Sequence, residues 1–232
     1  MHILLTRPLD DCKELILRFK SLGHKISHLP VIKIQNINHD KININEFDGI
    51  IFTSSNAIKY LNTSGINKKI NCFCVGSSTE KVAKENGFQN IFCADGNVNN
   101  LKEVILQNFD KKSGNLLYVS GEIISSNLDK DLTSEGYTVK RIINYSVLPV
   151  EEISEKFIKD LKLSIPNMVY VYSENSARNY INLIKKYNLS DCWMDTNLMC
   201  LGEKTSSVLN EIKWKKIFLF NPGEEEFLLY KI

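Results

Sequence analysis

The chain has few histidines, almost no net charge and no long apolar run, and each shortage argues against a class of function. No stretch approaches the roughly 18–20 apolar residues of a membrane span, so no membrane role is expected. The start, Met1-His2-Ile3-Leu4-Leu5-Thr6-Arg7-Pro8, does not read as a signal peptide. Its apolar run is short, no basic region precedes it, and Arg7-Pro8 interrupts it. The expected location is therefore the cytoplasm. Lysine and arginine number 29 against 27 aspartates and glutamates, a formal charge of +2. That balance speaks against nucleic acid, which needs a concentrated basic face. The four histidines (His2, His24, His28, His39) are scattered and fall in no motif. Of the six cysteines, Cys72, Cys74, Cys93 and Cys200 sit in apolar, strand-like runs, where cysteine behaves as a small hydrophobe. Cys72 and Cys74 share a strand face, but no second Cys or His pair stands at zinc spacing, so no metal is expected. No Gly-x-Gly-x-x-Gly and no Gly-x-x-x-x-Gly-Lys-Ser/Thr follows any strand, which withdraws the usual support for dinucleotide or nucleoside triphosphate binding.

What is present is a regular alternation. The 232 residues allow one large domain or two small ones, and a core of this size needs no disulfide or metal staple. Ile3-Leu4-Leu5 reads as a strand. A helix from about Asp10 to Leu22 follows, with Cys12, Leu15, Ile16, Phe19 and Leu22 at helical spacing and Gly23 as its stop. The next strand runs through Ile26 and on to Ile34, and the Asn-rich stretch 35–45 reads as a loop. Buried strands then recur at Gly49–Phe52, Cys72–Val75, Asn90–Cys93 and Leu116–Val119, each followed by a helix. Ser77 and Glu80 have capping-box spacing. The last unit is the strand Ile217–Phe220 followed by Asn221-Pro222-Gly223-Glu224, which reads as an N-cap, a proline at the first helical position and a glutamate at the third. Such alternation implies an α/β protein with mainly parallel sheets covered by helices.

The chain also repeats itself. Thr53-Ser54-Ser55-Asn56-Ala57 resembles Tyr172-Ser173-Glu174-Asn175-Ser176, and Cys74-Val75-Gly76-Ser77-Ser78-Thr79 resembles Cys200-Leu201-Gly202-Glu203-Lys204-Thr205. Gly76 and Gly202 stand at an offset of 126 positions, as do Thr79 and Thr205. The unit ending at Gly23 resembles the one ending at Gly136. Matching glycines and threonines, beyond matching hydrophobicity, argue for two copies of one scaffold.

In parallel α/β sheets ligands sit beyond the carboxyl ends of the strands. Four such ends carry small hydroxyl or amide residues: Thr53-Ser54, Gly76 to Thr79, Ser173 to Asn175, and Gly202 to Thr205. Backbone N–H groups at a helix start suit carboxylates and phosphates, and glycine lets a ligand approach closely. The plainer alternative is that these Ser and Thr side chains only cap helices, and for any one turn it is the better reading. Four similar turns in a duplicated chain favour an anion-binding cleft between the copies.

At this point the residues match a family. Leu5-Thr6-Arg7-Pro8, Phe52-Thr53-Ser54-Ser55-Asn56-Ala57, Val75-Gly76-Ser77-Ser78-Thr79, Tyr145, Tyr172-Ser173 and Leu201-Gly202-Glu203-Lys204-Thr205 occur in the order seen in uroporphyrinogen-III synthases. The chain resembles that family over almost its whole length. The resemblance implies two Rossmann/flavodoxin-like lobes with mainly parallel sheets, joined by a two-stranded antiparallel ladder. One lobe would be discontinuous (1–34 plus 147–232), the other inserted (38–142), with linker strands at 31–37 and 141–147.

It also implies the activity: a cofactor-independent hydro-lyase that closes hydroxymethylbilane, an anionic linear tetrapyrrole, to uroporphyrinogen III. Water is lost and the last pyrrole ring is inverted through a spiro intermediate. The substrate's eight carboxylates suit the four turns. Carried over by position, Thr53, Ser54, Gly76, Thr79, Ser173, Gly202 and Thr205 would bind substrate, and Tyr145 would assist departure of the hydroxyl. A phenol stays protonated near neutral pH and can donate to a leaving oxygen. The chain departs from the family at Ser120-Gly121, where relatives often carry Arg-Gly; Arg7 and Lys204 are the candidate substitutes. A monomer is expected, and transient contact with the preceding pathway enzyme is left open. The competing reading is a non-catalytic bilobal binder of an anionic small molecule. A nucleotide-dependent transferase is disfavoured by the missing phosphate loops.

Overall fold

The computed structural model describes residues 1–39, 42–221 and 223–226. Its strands are β1 (His2–Leu5), β2 (Lys25–His28), β3 (Ile32–Asn36), β4 (Gly49–Phe52), β5 (Asn71–Val75), β6 (Asn90–Ala94), β7 (Asn115–Gly121), β8 (Thr138–Pro149), β9 (Met168–Val171), β10 (Asn197–Leu201) and β11 (Lys216–Phe220). The helices are α1 (Leu9–Ser21), α2 (Ser55–Lys59), α3 (Ser77–Glu85), α4 (Val98–Asn108), α5 (Leu128–Ser134), α6 (Glu155–Leu163), α7 (Glu174–Lys186) and α8 (Glu203–Leu209). The chain divides into two compact units. Unit 1 is Met1–Lys33 with Leu148–Ile232, and unit 2 is Ile34–Val147.

In unit 1 the strand order is β11-β10-β9-β1-β2, with every pairing parallel. The central strands β1, β9 and β10 are short apolar runs because helices cover both faces of the sheet. Alternation along β1 shows the two layers. Leu4 joins the core of Val169, Val171, Tyr180, Ile184 and Trp193, while Ile3 and Leu5 join Cys12, Phe19, Met168 and Tyr170 on the other face. α7 packs the first layer with six buried residues, among them Tyr180, Ile181 and Ile184 at helical spacing.

Unit 2 holds the order β3-β8-β7-β4-β5-β6. Along β4, Ile50 and Phe52 face one core and Ile51 the other. The strands from β4 to β8 pair in parallel. β3 runs antiparallel to β8, since Ile37 N–H donates to Asn144 O (2.9 Å) and Val150 N–H to Val31 O (3.0 Å). Read outward from β4, unit 2 runs β6-β5-β4-β7-β8. Read outward from β9, unit 1 runs β11-β10-β9-β1-β2. In chain order unit 2 is 3-2-1-4-5, the Rossmann arrangement, and unit 1 is 2-1-3-4-5, the flavodoxin arrangement; the two coincide once unit 1 is counted from β9 and continued at β1, a circular permutation. The duplication is thus present in topology as well as in sequence.

Several local expectations are corrected. The single strand expected from Ile26 to Ile34 is two strands. Pro30 has no N–H to give a ladder, and after it the chain leaves the neighbour of β1 and pairs with β8 instead. The capping box at Ser77 and Glu80 does not form. Gly76 is the N-cap, at φ 77°, and Glu80 instead pairs with Lys84 one turn on. Of the expected helix start after β11, Pro222 lies outside the described residues, and Gly223 stands at φ 89°, which is not helical, so the described residues 223–226 form turns and no helix; Glu224 still accepts from the Asn221 backbone N–H and side-chain amide, both at 3.0 Å. All six cysteines are free thiols. Among the described residues no His/Cys/Asp/Glu group is placed to hold a metal, and no helix is long and apolar enough to cross a membrane.

Candidate functional site

The strand order singles out one place in each unit. From β4 the chain winds toward β6, and from β7 it winds toward β8, so β4 and β7 flank a topological switch point; β9 and β1 do the same in unit 1. Crevices at such points, beyond the carboxyl ends of the strands, are where this class of sheet takes ligands.

In unit 2, Thr53 and Ser54 follow β4 and Ser120-Gly121 close β7. Thr53 Oγ1 lies 3.2 Å from the Tyr118 hydroxyl. Burial raises the Tyr118 phenol above its ordinary range, against the pull of Thr53 and the Arg141 guanidinium. Ser54 is the N-cap of α2, accepting from Asn56 N–H at 3.2 Å. Tyr145 comes from β8 through an irregularity. The register runs Ser120↔Ile143 and then Gly121↔Tyr145, so Asn144 is an extra residue on β8. Such a bulge re-aims the side chains beside it. Asn144 turns its amide to Ala57 O (2.7 Å), and the Tyr145 ring lies against Gly121 and stacks on Tyr60 at 6.4 Å. Gly76 ends the turn after β5, and Thr79 is buried on the first turn of α3.

In unit 1 the equivalents recur with nearly the same backbone. Ser173 caps α7 at φ −156° where Ser54 has −154°, and Gly202 stands at φ 78° where Gly76 has 77°. Ser173 accepts from Ser176 N–H at 3.1 Å and donates to Ser176 Oγ at 2.9 Å. The Thr205 hydroxyl is committed to Leu201 O at 2.8 Å. Gly202 and Gly76 supply no side-chain bond to the helix starts they precede. At the end of β1, Thr6 donates to Tyr170 O, and the Arg7 guanidinium lies 4.7 Å over the Tyr172 ring and 4.0 Å from Asp11. Among the described residues the buried Tyr172 hydroxyl has no hydrogen-bond partner, and burial holds its pKa well above the ordinary value.

The structure therefore puts Thr53, Ser54 and Tyr145 on the strand ends around one switch point, with Gly76 and Thr79 on the next strand. Ser173 lies at the other switch point, with Gly202 and Thr205 on its neighbouring strand. Tyr118, Arg141 and Asn144 also lie at this strand end and were not among the candidates read from the sequence. Only Arg141 left a signal: a charge at the inward-alternating position between Val139 and Ile143.

The model of the family described as uroporphyrinogen-III synthase HemD matches residues 13–219. The chain belongs to the uroporphyrinogen-III synthase family. Its fold is also that of solved members. It is similar to the uroporphyrinogen-III synthetase of Helicobacter pylori 26695, with 17% identity, a TM-score of 0.64, and 100% of this chain and 99% of that one covered. It is similar to a mutant uroporphyrinogen III synthase of the extremely thermophilic bacterium Thermus thermophilus at 14% identity and TM-score 0.54, covering 100% and 96%. A comparison with curated protein sequences gives no match. The family is one of cyclising lyases that work without a cofactor, and nothing found favours the non-catalytic binder.

Proposed function

We propose that this chain closes hydroxymethylbilane to uroporphyrinogen III, with Tyr145 assisting departure of the hydroxyl and the strand-end turns of each unit receiving substrate carboxylates. The observation that carries the reading is the family match over residues 13–219. Loss of the hydroxyl leaves an azafulvene whose cation the pyrroles themselves stabilise, so the protein has little covalent work to do. Without an enzyme the same intermediate closes to the unrearranged isomer. The protein's main task is to hold the last ring in the geometry of spiro attack.

The roles divide by what each group has free. The Tyr145 phenol donates to the leaving oxygen, steadied by the close approach of Gly121 and the stacked Tyr60 ring. At Gly76 and Gly202 the uncapped helix starts offer backbone N–H groups. The Thr205 hydroxyl already donates its hydrogen bond to Leu201 O, so it shapes the turn and does not donate to a carboxylate. Ser54 and Ser173 hold their helix starts by capping, beside Thr53. No single substitution is expected to abolish activity. The chain acts as a cytoplasmic monomer, taking its substrate from the enzyme before it.

The test is to supply hydroxymethylbilane and identify the isomer formed. Accumulation of type III supports the reading, and accumulation of type I alone ends it.

A further inference from the structure

We infer that Arg141 is a carboxylate-binding residue at the switch point of unit 2, presented by Ser120. The inference rests on the proposed function for the identity of its ligand, and on geometry for the site.

Arg141 sits on β8 opposite Tyr118, and its side chain runs along β7 toward that strand's carboxyl end. Its Nε donates to Ser120 Oγ at 2.8 Å, and its Nη2 to Gly121 O at 2.8 Å and Glu122 O at 3.2 Å. Ser120 is 1% exposed and small, which leaves the space the guanidinium occupies. A guanidinium carries five N–H donors. The three bonds engage Nε and Nη2, and the Nη1 edge carries no bond among the described residues.

All three acceptors are neutral. Among the described residues Arg141 forms no ion pair. Asp129 acts with Arg141 on the Tyr118 phenol, yet among the described residues it is not paired with Arg141, and its Oδ1 is buried there without a hydrogen bond. A half-buried guanidinium held by neutral acceptors and joined to no carboxylate among the described residues keeps an edge free for an anion. That is the arrangement that recognises a planar carboxylate. It stands where the strand order places a ligand, on the same strand ends as Thr53 and Tyr145. A cation needed only to fasten β7 would gain nothing from lacking a counter-charge.

The experiment is fluorescence titration of the full chain with uroporphyrin III, the oxidised product with its eight carboxylates, over a range of salt concentrations. Binding needs no turnover, so it is decided separately from the isomer assay: a protein that makes only type I product ends the synthase reading and leaves this measurement standing. Arg141→Gln is expected to weaken binding roughly tenfold or more, with a shallower salt dependence. Arg141→Lys restores part of the affinity because it keeps the charge. Ser120→Ala weakens binding less, because it frees the guanidinium without removing it. KM for hydroxymethylbilane rises in parallel while kcat moves little, the pattern of lost uniform binding. Unchanged affinity and KM in Arg141→Gln, even with a lowered unfolding midpoint, would make Arg141 a strand fastener and overturn the proposal. Should that variant not fold, wild-type affinity and KM in both Arg141→Lys and Ser120→Ala overturn it equally.

Discussion

Replacing Gly121 by alanine should damage Tyr145 without touching it. The backbone at Gly121 is ordinary strand, so the chain itself accepts an alanine. The obstacle is the phenol ring: an added Cβ would stand 2.7 Å from Tyr145 Cζ, 2.8 Å from Cε2 and 3.0 Å from the hydroxyl oxygen. Carbon atoms in contact prefer about 3.5–4.0 Å, so the ring must retreat by about 1 Å. Tyr60 stacks on it, and the residue is 8% exposed, so the retreat is not free. Overpacking of this kind costs about 1–3 kcal/mol of stability. The effect on rate has a ceiling. A misplacement of about 1 Å can cost up to about a hundredfold, but only what Tyr145 contributes is at risk. Tyr145→Phe is expected to lower kcat several-fold or more with little change in unfolding midpoint. Gly121→Ala should lower kcat by no more than Tyr145→Phe does, and it should lower the midpoint. Adding Gly121→Ala to Tyr145→Phe should then cost little further rate, because neighbours that act through one group are not additive. The assay is initial rate and isomer ratio from hydroxymethylbilane, with urea unfolding alongside. Full activity in Gly121→Ala, or rate losses that multiply in the double variant, would refute the placement of Tyr145 in the mechanism.

Other outcomes follow from the same geometry. Gly76→Ala and Gly202→Ala meet no atom within 4 Å, so each should cost only backbone strain: φ of 77° and 78° with ψ of 150° and 165° is a region essentially reserved to glycine, a cost of about 1–3 kcal/mol. Unequal costs in urea unfolding would break the equivalence of the two turns. His2 is buried between Ser27 and Ser164, and burial first, then Lys25, lowers its pKa below 6.5. Below pH about 6.5 the unfolded chain therefore binds a proton that the folded chain refuses, and stability should fall as pH drops through that window. His2→Gln should flatten the slope of stability against pH below about 6.5; an unchanged slope would show that His2 is not its source.

Much of the scaffold was legible because burial writes itself into sequence. A run such as Gly49-Ile50-Ile51-Phe52 has no polar face to spare, and only a strand covered on both sides uses it. Gly76 and Gly202 were legible for another reason, since left-handed backbone at a strand–helix turn is a position glycine fills without strain. What could not be read was pairing across the sheet. Nothing in Ile142-Ile143-Asn144-Tyr145 announces that Asn144 is the extra residue of a bulge, and that slip decides which partner Tyr145 meets. The break at Pro30 is readable from the sequence, since proline lacks the N–H that a continuing ladder needs. The candidate substitutes for the charge missing at Ser120, Arg7 and Lys204, both belong to unit 1; the guanidinium at Ser120 comes from β8, two residues before Ile143, the register partner of Ser120.

The two units share one order of strands after circular permutation, and one set of turns, yet their switch points have diverged in what they leave free. In unit 1, Arg7 is spent on its own neighbours: its guanidinium lies over Tyr172 and beside Asp11, and Thr6 is fixed to Tyr170 O. In unit 2, Arg141 is held by neutral acceptors and paired with no acid among the described residues, and the bulge at Asn144 brings Tyr145 onto the same strand end. A reaction in which one hydroxyl must leave and one ring must turn needs a chemical assistant at one point only, while eight carboxylates need holding at many. A duplicated scaffold meets both demands if one copy keeps its strand-end cation and phenol uncommitted and the other keeps only its turns. On that division the assisting chemistry belongs to unit 2, and substitutions in the unit 1 turns should act on KM before they act on kcat.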